Sequence, residues 1–272
     1  MQRFSLLPKE MVMSFWRNRS LLRALVVREV TSRYKGSFLG LLWSLFNPLL
    51  MLAVYTFFFS VVFKVRLEGG SGSRIEFAMF LFSGLIIFNM FSECLNRAPT
   101  LILFNPNYVK KIVFPVELLP WVVLASAIFQ LVISYLVWLA FYLIFFGLPH
   151  IASLLLPLVL LPLCLISLGL GWILSSLGVF LRDVQQVVIT LTPILMFLSP
   201  VFYRVSALPE NYRLFIRLNP VTPAVEMARS VMFWGDSVNW PIWGVYSLAA
   251  FVFAWVGFVW FQCTRTGFAD VV

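Results

Sequence analysis

The sequence holds one histidine, His150, and three cysteines, Cys94, Cys164 and Cys263, which stand far apart and form no CxxC pair. A histidine-based triad or a zinc site thus lacks its ligands, and neither a disulfide framework nor a metal cluster has a basis in the spacing. Charge is scarce as well, at 11% of residues against roughly 25% in soluble domains. No GxxxxGK[ST] run is present to cradle phosphates, and HExxH is missing too. No catalytic residue can be named, and the chain reads as having neither enzymatic machinery nor a metal of its own.

What fills the sequence instead is apolar: 61% of the 272 residues. A water-soluble fold of this size has no polar shell for so much apolar surface. The solvent it calls for is lipid. A crossing helix needs about 20 mostly apolar residues, and stretches of that kind predict an all-α integral membrane fold with six spans. They fall at about 37–63, 76–93, 118–146, 152–181, 184–203 and 239–263, so that a six-helix domain over 36–272 follows a cytoplasmic or interfacial segment over 1–35. The second stretch is the shortest and needs its charged flanks at the interfaces. Gly147-Leu148-Pro149-His150 breaks the uncharged run from 118 to 181, and Pro157 and Pro162 are expected to kink or delay the fourth helix.

Residues 204–237 have mixed character, with seven charges among many apolar residues. Asn219-Pro220 and Thr222-Pro223 divide them into two short helix candidates, lying in the interface or dipping into the membrane as re-entrant elements. GGSGS at 69–73 reads as a flexible loop tip. There is no internal repeat.

The net charge of +9 is concentrated at the start, where eight of the 20 basic residues precede Gly36. A basic flank before an apolar span suits the positive-inside rule and anionic headgroups, and nothing there resembles a nucleic-acid reading motif. With the N-terminus inside, thirteen Lys and Arg fall on the inner side against seven outside, which places both termini in the cytoplasm. The charges run on to Lys35 and the next apolar stretch is too long for a signal peptide, so the first span is expected to stay as an anchor. The span centres carry no acid, base or histidine for a coupling ion. Energy for any transport must come from elsewhere.

Four segments carry ordered motifs. The first, over 26–50, holds Arg28-Glu29, Arg33-Tyr34-Lys35, Ser37, Leu39-Gly40, Trp43 and Pro48. The second is NPNYVKKIVFPVELLP at 105–120, with Asn105, Lys110-Lys111, Phe114-Pro115, Glu117 and Leu119-Pro120. The third is Arg182-Asp183-Val184, a weak signal alone. The fourth joins SPVFY at 199–203 to LNPVTPAVEMAR at 218–229. In these residues and their order the chain resembles the transmembrane subunit of ABC exporters for bacterial surface polysaccharides, the Wzm-like O-antigen permeases and their capsule and teichoic-acid relatives. The resemblance departs in the short second span, in the 64–76 loop, and in Arg17, Arg19, Arg23 and Arg28, which do not share one face at 100° per residue.

The resemblance implies an N-terminal interfacial helix, a cytoplasmic coupling helix near 93–107, and two short periplasmic re-entrant helices before the last span. By that likeness Glu93, Arg97, Asn105, Lys110 and Lys111 meet an ATPase subunit, which binds the Mg-ATP; this chain holds no cofactor. Arg28, Arg33, Tyr34 and Lys35 either meet a diphosphate headgroup at the cytoplasmic entrance or simply anchor the topology. Trp43, Phe46, Tyr55, Phe197 and Tyr203 are channel-lining candidates, since sugar C–H faces pack on aromatic rings; the alternative is that they face lipid or another helix. Asn219, Pro220 and Glu226 belong to the periplasmic gate. A homodimer with two ATPase copies follows, in a bacterial inner membrane, moving a polyprenyl-diphosphate-linked polysaccharide. A drug or lipid exporter, a membrane scaffold and an ion-driven carrier are the competing classes.

Overall fold

The computed structural model describes residues 6–58, 74–109 and 114–271. They form α1 Pro8–Arg17, α2 Arg19–Tyr34, α3 Trp43–Phe57, α4 Arg74–Arg97, α5 Pro106–Val109, α6 Leu119–Phe146, α7 Leu156–Phe180, α8 Val184–Leu198, α9 Glu210–Arg217, α10 Val221–Arg229, α11 Trp240–Thr264 and α12 Phe268–Val271. Among the described residues there is no strand. Five helices are long and apolar enough to cross a membrane, and α8 is a shorter apolar helix of 15 residues.

Several boundaries differ from the sequence reading, each for a local reason. The fifth span ends at Leu198 instead of 203, because the chain leaves the helix at Ser199-Pro200. At 1.5 Å per residue α8 is about 22 Å long, less than the roughly 30 Å hydrocarbon core. The second helix is longer than 76–93, running over 24 residues with both Glu93 and Arg97 inside it. Its ends carry charge without penalty because protein surrounds it: every residue from 77 to 91 is buried except Asn89. The expected coupling helix near 93–107 is thereby replaced by the end of α4, a run of turns over 98–104 and the four-residue α5. The end of the first span, 59–63, and both Lys110 and Lys111 lie outside the described residues.

The N-terminal segment is two helices. Asn18 leaves the helical region with φ −105° and ψ 21°, and its side-chain amide donates to the Ser14 carbonyl at 2.8 Å. Arg17 and Arg19 therefore sit on different helices, and within α2 itself Arg28 falls on the face opposite Arg19 and Arg23. Gly147 ends α6 at φ +86°, a conformation glycine adopts freely. Pro157 falls in the first turn of α7, where no donor is needed, after a 3-10 turn over Ile151–Leu155.

Prolines inside helices, Pro48, Pro162 and Pro193, free a carbonyl four residues earlier, and for the first two another helix satisfies it. Pro48 in α3 leaves the Ser44 carbonyl to Gln130 Nε2 of α6 at 2.9 Å. Pro162 in α7 leaves the Leu158 carbonyl to Trp243 Nε1 of α11 at 3.0 Å. Within lipid, where water cannot fill the vacancy, such side-chain donors keep a kinked helix viable.

α4 is the centre of the bundle, touching α3, α6, α7, α8 and α10, while α7 and α11 pair most extensively. That pairing depends on glycine: a Cβ on Gly257 would lie 2.5 Å from the Gly169 carbonyl oxygen. Small residues let membrane helices approach backbone to backbone, and Ala250, Ala254, Gly257, Phe258 and Phe261 form the buried stripe of α11. The indoles of Trp138 and Trp172, both fully buried, donate to the carbonyls of Met79 and Glu117 at 3.1 Å each. By contrast α3, α8 and α11 leave much of their apolar surface uncovered. α1 meets α11, and just ahead of α1 the Leu6 carbonyl accepts from Trp255 Nε1 at 3.0 Å.

Candidate functional site

At the end of the bundle that carries α1 and α2, two helices each present a glutamate and an arginine one turn apart. Glu29 and Arg33 of α2 face Glu93 and Arg97 of α4. The cross-pairs are closed contacts, Arg33 with Glu93 and Arg97 with Glu29. Within the helices Arg97 lies 3.4 Å from Glu93, and Arg33 lies 4.0 Å from Glu29. Ser126 Oγ of α6 accepts from both guanidiniums, at 3.1 and 3.3 Å. Two positive and two negative groups make the ring neutral, and its partial burial limits screening by salt. It fastens α2 to α4 and α6.

The ring joins residues that the sequence reading assigned to different roles, Arg33 at the entrance and Glu93 with Arg97 at the ATPase. Two matched Glu-x-x-x-Arg spacings, at 29–33 and 93–97, were the signal. The other entrance candidates separate. The Arg28 guanidinium lies over the Tyr108 ring, 5.4 Å from its centroid. The Tyr34 hydroxyl donates to Gln130 Oε1 at 3.3 Å, and Lys35 is exposed at the end of α2. Tyr34, Asn47, Asn89, Gln130 and Ser134 supply the polar part of a cavity of about 410 Å3 between α2, α3, α4 and α6, whose other half is apolar.

The 98–104 turns are rooted firmly and exposed at their tip. Ala98, Leu101 and Ile102 are buried, and Gly178 of α7 makes room for the turn: a Cβ there would lie 1.9 Å from the Pro99 carbonyl oxygen. Asn105 Nδ2 donates back to the Leu101 carbonyl at 2.9 Å. Between them Phe104 stands 77% exposed. Tyr108 stacks on Phe114, 4.2 Å between centroids. Nearby, Glu117 and Arg265 form a mostly buried pair at 2.7 Å. Ser14 Oγ of α1 donates to the same carboxylate at 3.1 Å, which binds α1 to the starts and ends of two spans.

At the opposite end, α10 is buried between α4 and α7. Asn219 joins α9 to α10: its Oδ1 accepts from the Val221 amide at 3.0 Å and its Nδ2 donates to Ser199 Oγ at 2.9 Å. The Pro220 carbonyl accepts from the Tyr246 hydroxyl at 2.6 Å. Arg229, which the sequence reading counted among the seven basic residues on the outer side, is 2% exposed. Its guanidinium donates to the carbonyls of Phe80 at 3.1 Å, Val201 at 2.6 Å and Pro200 at 2.5 Å. Burial pushes it down to about 9, which still leaves it charged at neutral pH. The signal was periodic: Val221, Val225 and Arg229 fall on one helical face. Glu226 opens on the cavity beside this cluster, and burial raises its carboxyl above the ordinary value against the pull of Arg217 and Arg229.

The aromatic candidates lie on two helices and their ends. Trp43 and Phe46 of α3 meet edge to face at 5.4 Å. Phe197, at the end of α8, is exposed and stacks on Phe202 at 5.5 Å, while the Tyr203 hydroxyl donates to the Phe197 carbonyl at 3.3 Å. Tyr55, partly buried, lies further along α3.

A family model described as ABC-2 type transporter matches residues 20–233. The O-antigen export system permease protein RfbA of Myxococcus xanthus is 29% identical over 225 residues, covering 82% of this chain and 84% of that protein. RfbA of Klebsiella pneumoniae is 24% identical over 253 residues, with 93% and 95% covered. The polysialic acid transport protein KpsM of Escherichia coli is 27% identical over 223 residues, with 78% and 81% covered.

Proposed function

The chain belongs to the ABC-2 type transporter family, and from that membership we propose that it is the channel-forming permease of a surface-polysaccharide exporter. Its cargo is a lipid-linked polysaccharide of the O-antigen class, moved from cytoplasm to periplasm across a bacterial inner membrane. Mg-ATP is bound and hydrolysed in a separate ATPase subunit. Two copies of each subunit assemble, with both termini of the permease in the cytoplasm. The apolar faces that α3 and α8 leave uncovered support the pairing of two permeases.

The observation that carries the reading is the 98–109 segment. It presents an exposed phenylalanine, Phe104, on a root packed against α7, and it follows directly from the Arg97 end of the charge ring. A push on that tip passes into α2, α4 and α6 as one body. The decisive test is co-purification with a nucleotide-binding ATPase encoded beside this chain, followed by ATP hydrolysis in lipid discs. Hydrolysis stimulated by lipid-linked polysaccharide is expected. If no ATPase associates, the reading falls and a membrane scaffold replaces it. The similarity to CtrC, a capsule polysaccharide export inner-membrane protein, favours capsular polysaccharide as the second cargo, and competition between the two glycans in the same assay separates them.

A further inference from the structure

The cavity beside Arg229, about 350 Å3 in volume, lies among the ends of α4, α8, α9 and α10. Its size falls within the roughly 300–1,000 Å3 of small-molecule sites. Four arginines line it, Arg204, Arg213, Arg217 and Arg229, against one carboxylate, Glu226. Four positive charges less one negative leave an excess of three. Among the described residues, Arg204, Arg217 and Arg229 have no carboxylate within 4.0 Å, and Arg213 lies 3.9 Å from the solvent-exposed Glu210.

The arginines are not equivalent. Arg229 is satisfied by backbone carbonyls and adds only its charge. Arg213 is held in place by the carbonyls of Leu208 and Ser206, at 2.8 and 2.9 Å. The Arg204 guanidinium lies over the Trp234 ring at 4.6 Å and beside Phe80 at 5.7 Å, and its Nε is buried with no hydrogen-bond partner among the described residues. Stacking engages the face of a guanidinium and leaves its N–H edge for a planar or tetrahedral oxyanion. Arg217 is exposed at the mouth.

We propose that this cavity binds a phosphate-type oxyanion, with Arg204 and Arg217 as its ligands and Arg213 and Arg229 supplying field. Positive charges gathered in a half-enclosed cavity repel one another and are costly unless paired, and an anion carrying two or more charges removes that cost. The same oxygens are offered by the headgroup of an anionic lipid and by a diphosphate, and the two sources are separable.

The test uses the purified full-length protein in lipid discs. In discs of phosphatidylcholine it is titrated with inorganic pyrophosphate; in mixed discs, native mass spectrometry reads retention of phosphatidylglycerol. Wild type is expected to bind at least one probe, and the Arg204→Gln/Arg217→Gln variant to bind that probe at least tenfold more weakly. Pyrophosphate binding supports a diphosphate ligand and phosphatidylglycerol retention a lipid headgroup. Binding of neither probe by folded wild type overturns the proposal, as does binding unchanged in the variant. Unfolding midpoints control for folding, and if the double variant is unstable, Arg217→Gln alone carries the comparison. None of these readouts requires transport, so the site stands or falls apart from the exporter reading.

Discussion

Gly84 of α4 has no side chain where the guanidinium of Arg229 lies: a Cβ there would sit 2.4 Å from Nη2. The acceptors around that guanidinium belong to α4 and to the turn after α8, so one side chain from α10 fastens two other segments. Replacing Arg229 with Lys removes the planar fork that reaches several carbonyls at once. Unfolding in detergent is expected to show a loss on the order of 3 kcal/mol, since several buried acceptors are left unpaired at about 1–3 kcal/mol each. Gly84→Ala is expected to act in the same direction through overpacking, by about 1–3 kcal/mol. Wild-type stability in both variants would remove the fastening role.

The ring of Glu29, Arg33, Glu93 and Arg97 predicts coupling between α2 and α4. A double-mutant cycle on Glu29→Gln and Arg97→Gln is expected to give an interaction free energy of about 0.5–3 kcal/mol. Exchanging the pair, Glu29→Arg with Arg97→Glu, should recover part of what either charge reversal loses. Additive effects in the cycle would mean that the two helices are held by packing alone.

Gly178 and Phe104 test the root and the tip of the 98–109 segment separately. Gly178→Ala forces the Pro99 carbonyl away, whereas Phe104→Ala removes an exposed ring without strain. Both are expected to weaken association with the ATPase about tenfold, or roughly 1.4 kcal/mol, while membrane insertion persists. Pull-down titration measures this, and an unchanged affinity in Phe104→Ala would dissociate the loop tip from the partner.

Glu226 gives a pH signature. Its folded-state value is raised, chiefly by burial, so the folded protein holds this proton more tightly than the unfolded chain. Its contribution to stability is full below the ordinary glutamate value and fades as pH rises through the raised one. Glu226→Gln should therefore unfold at a higher temperature than wild type at pH 8 and at the same temperature at pH 4. The opposite ordering of melting curves would reverse the assignment.

Much of the helical order was readable because it depends on local chemistry. Gly147 ended a helix through its positive φ, and Asn219-Pro220 separated two short ones, as their residue types require. The misplaced boundaries share another cause. The ends of α4 were judged against lipid, but protein surrounds them, and Glu93 and Arg97 meet partners sixty or more residues away. Likewise, nothing local announces that Gln130 and Trp243 complete the carbonyls freed by Pro48 and Pro162. The burial of Arg229 was written in the spacing of α10, but only a frame that treats that helix as inserted makes it visible.

The contact of Ser14 with Glu117, itself paired to Arg265, has a consequence for biosynthesis. Translation delivers α1 to the membrane surface first, yet its seat is completed by a residue just after the last span. Ser14 can meet Glu117 once the segment before α6 is made, but that carboxylate stays without its arginine until Arg265 emerges behind α11. A copy lacking Arg265 would therefore leave a mostly buried carboxylate uncompensated beneath α1, and the hold on that helix correspondingly weaker.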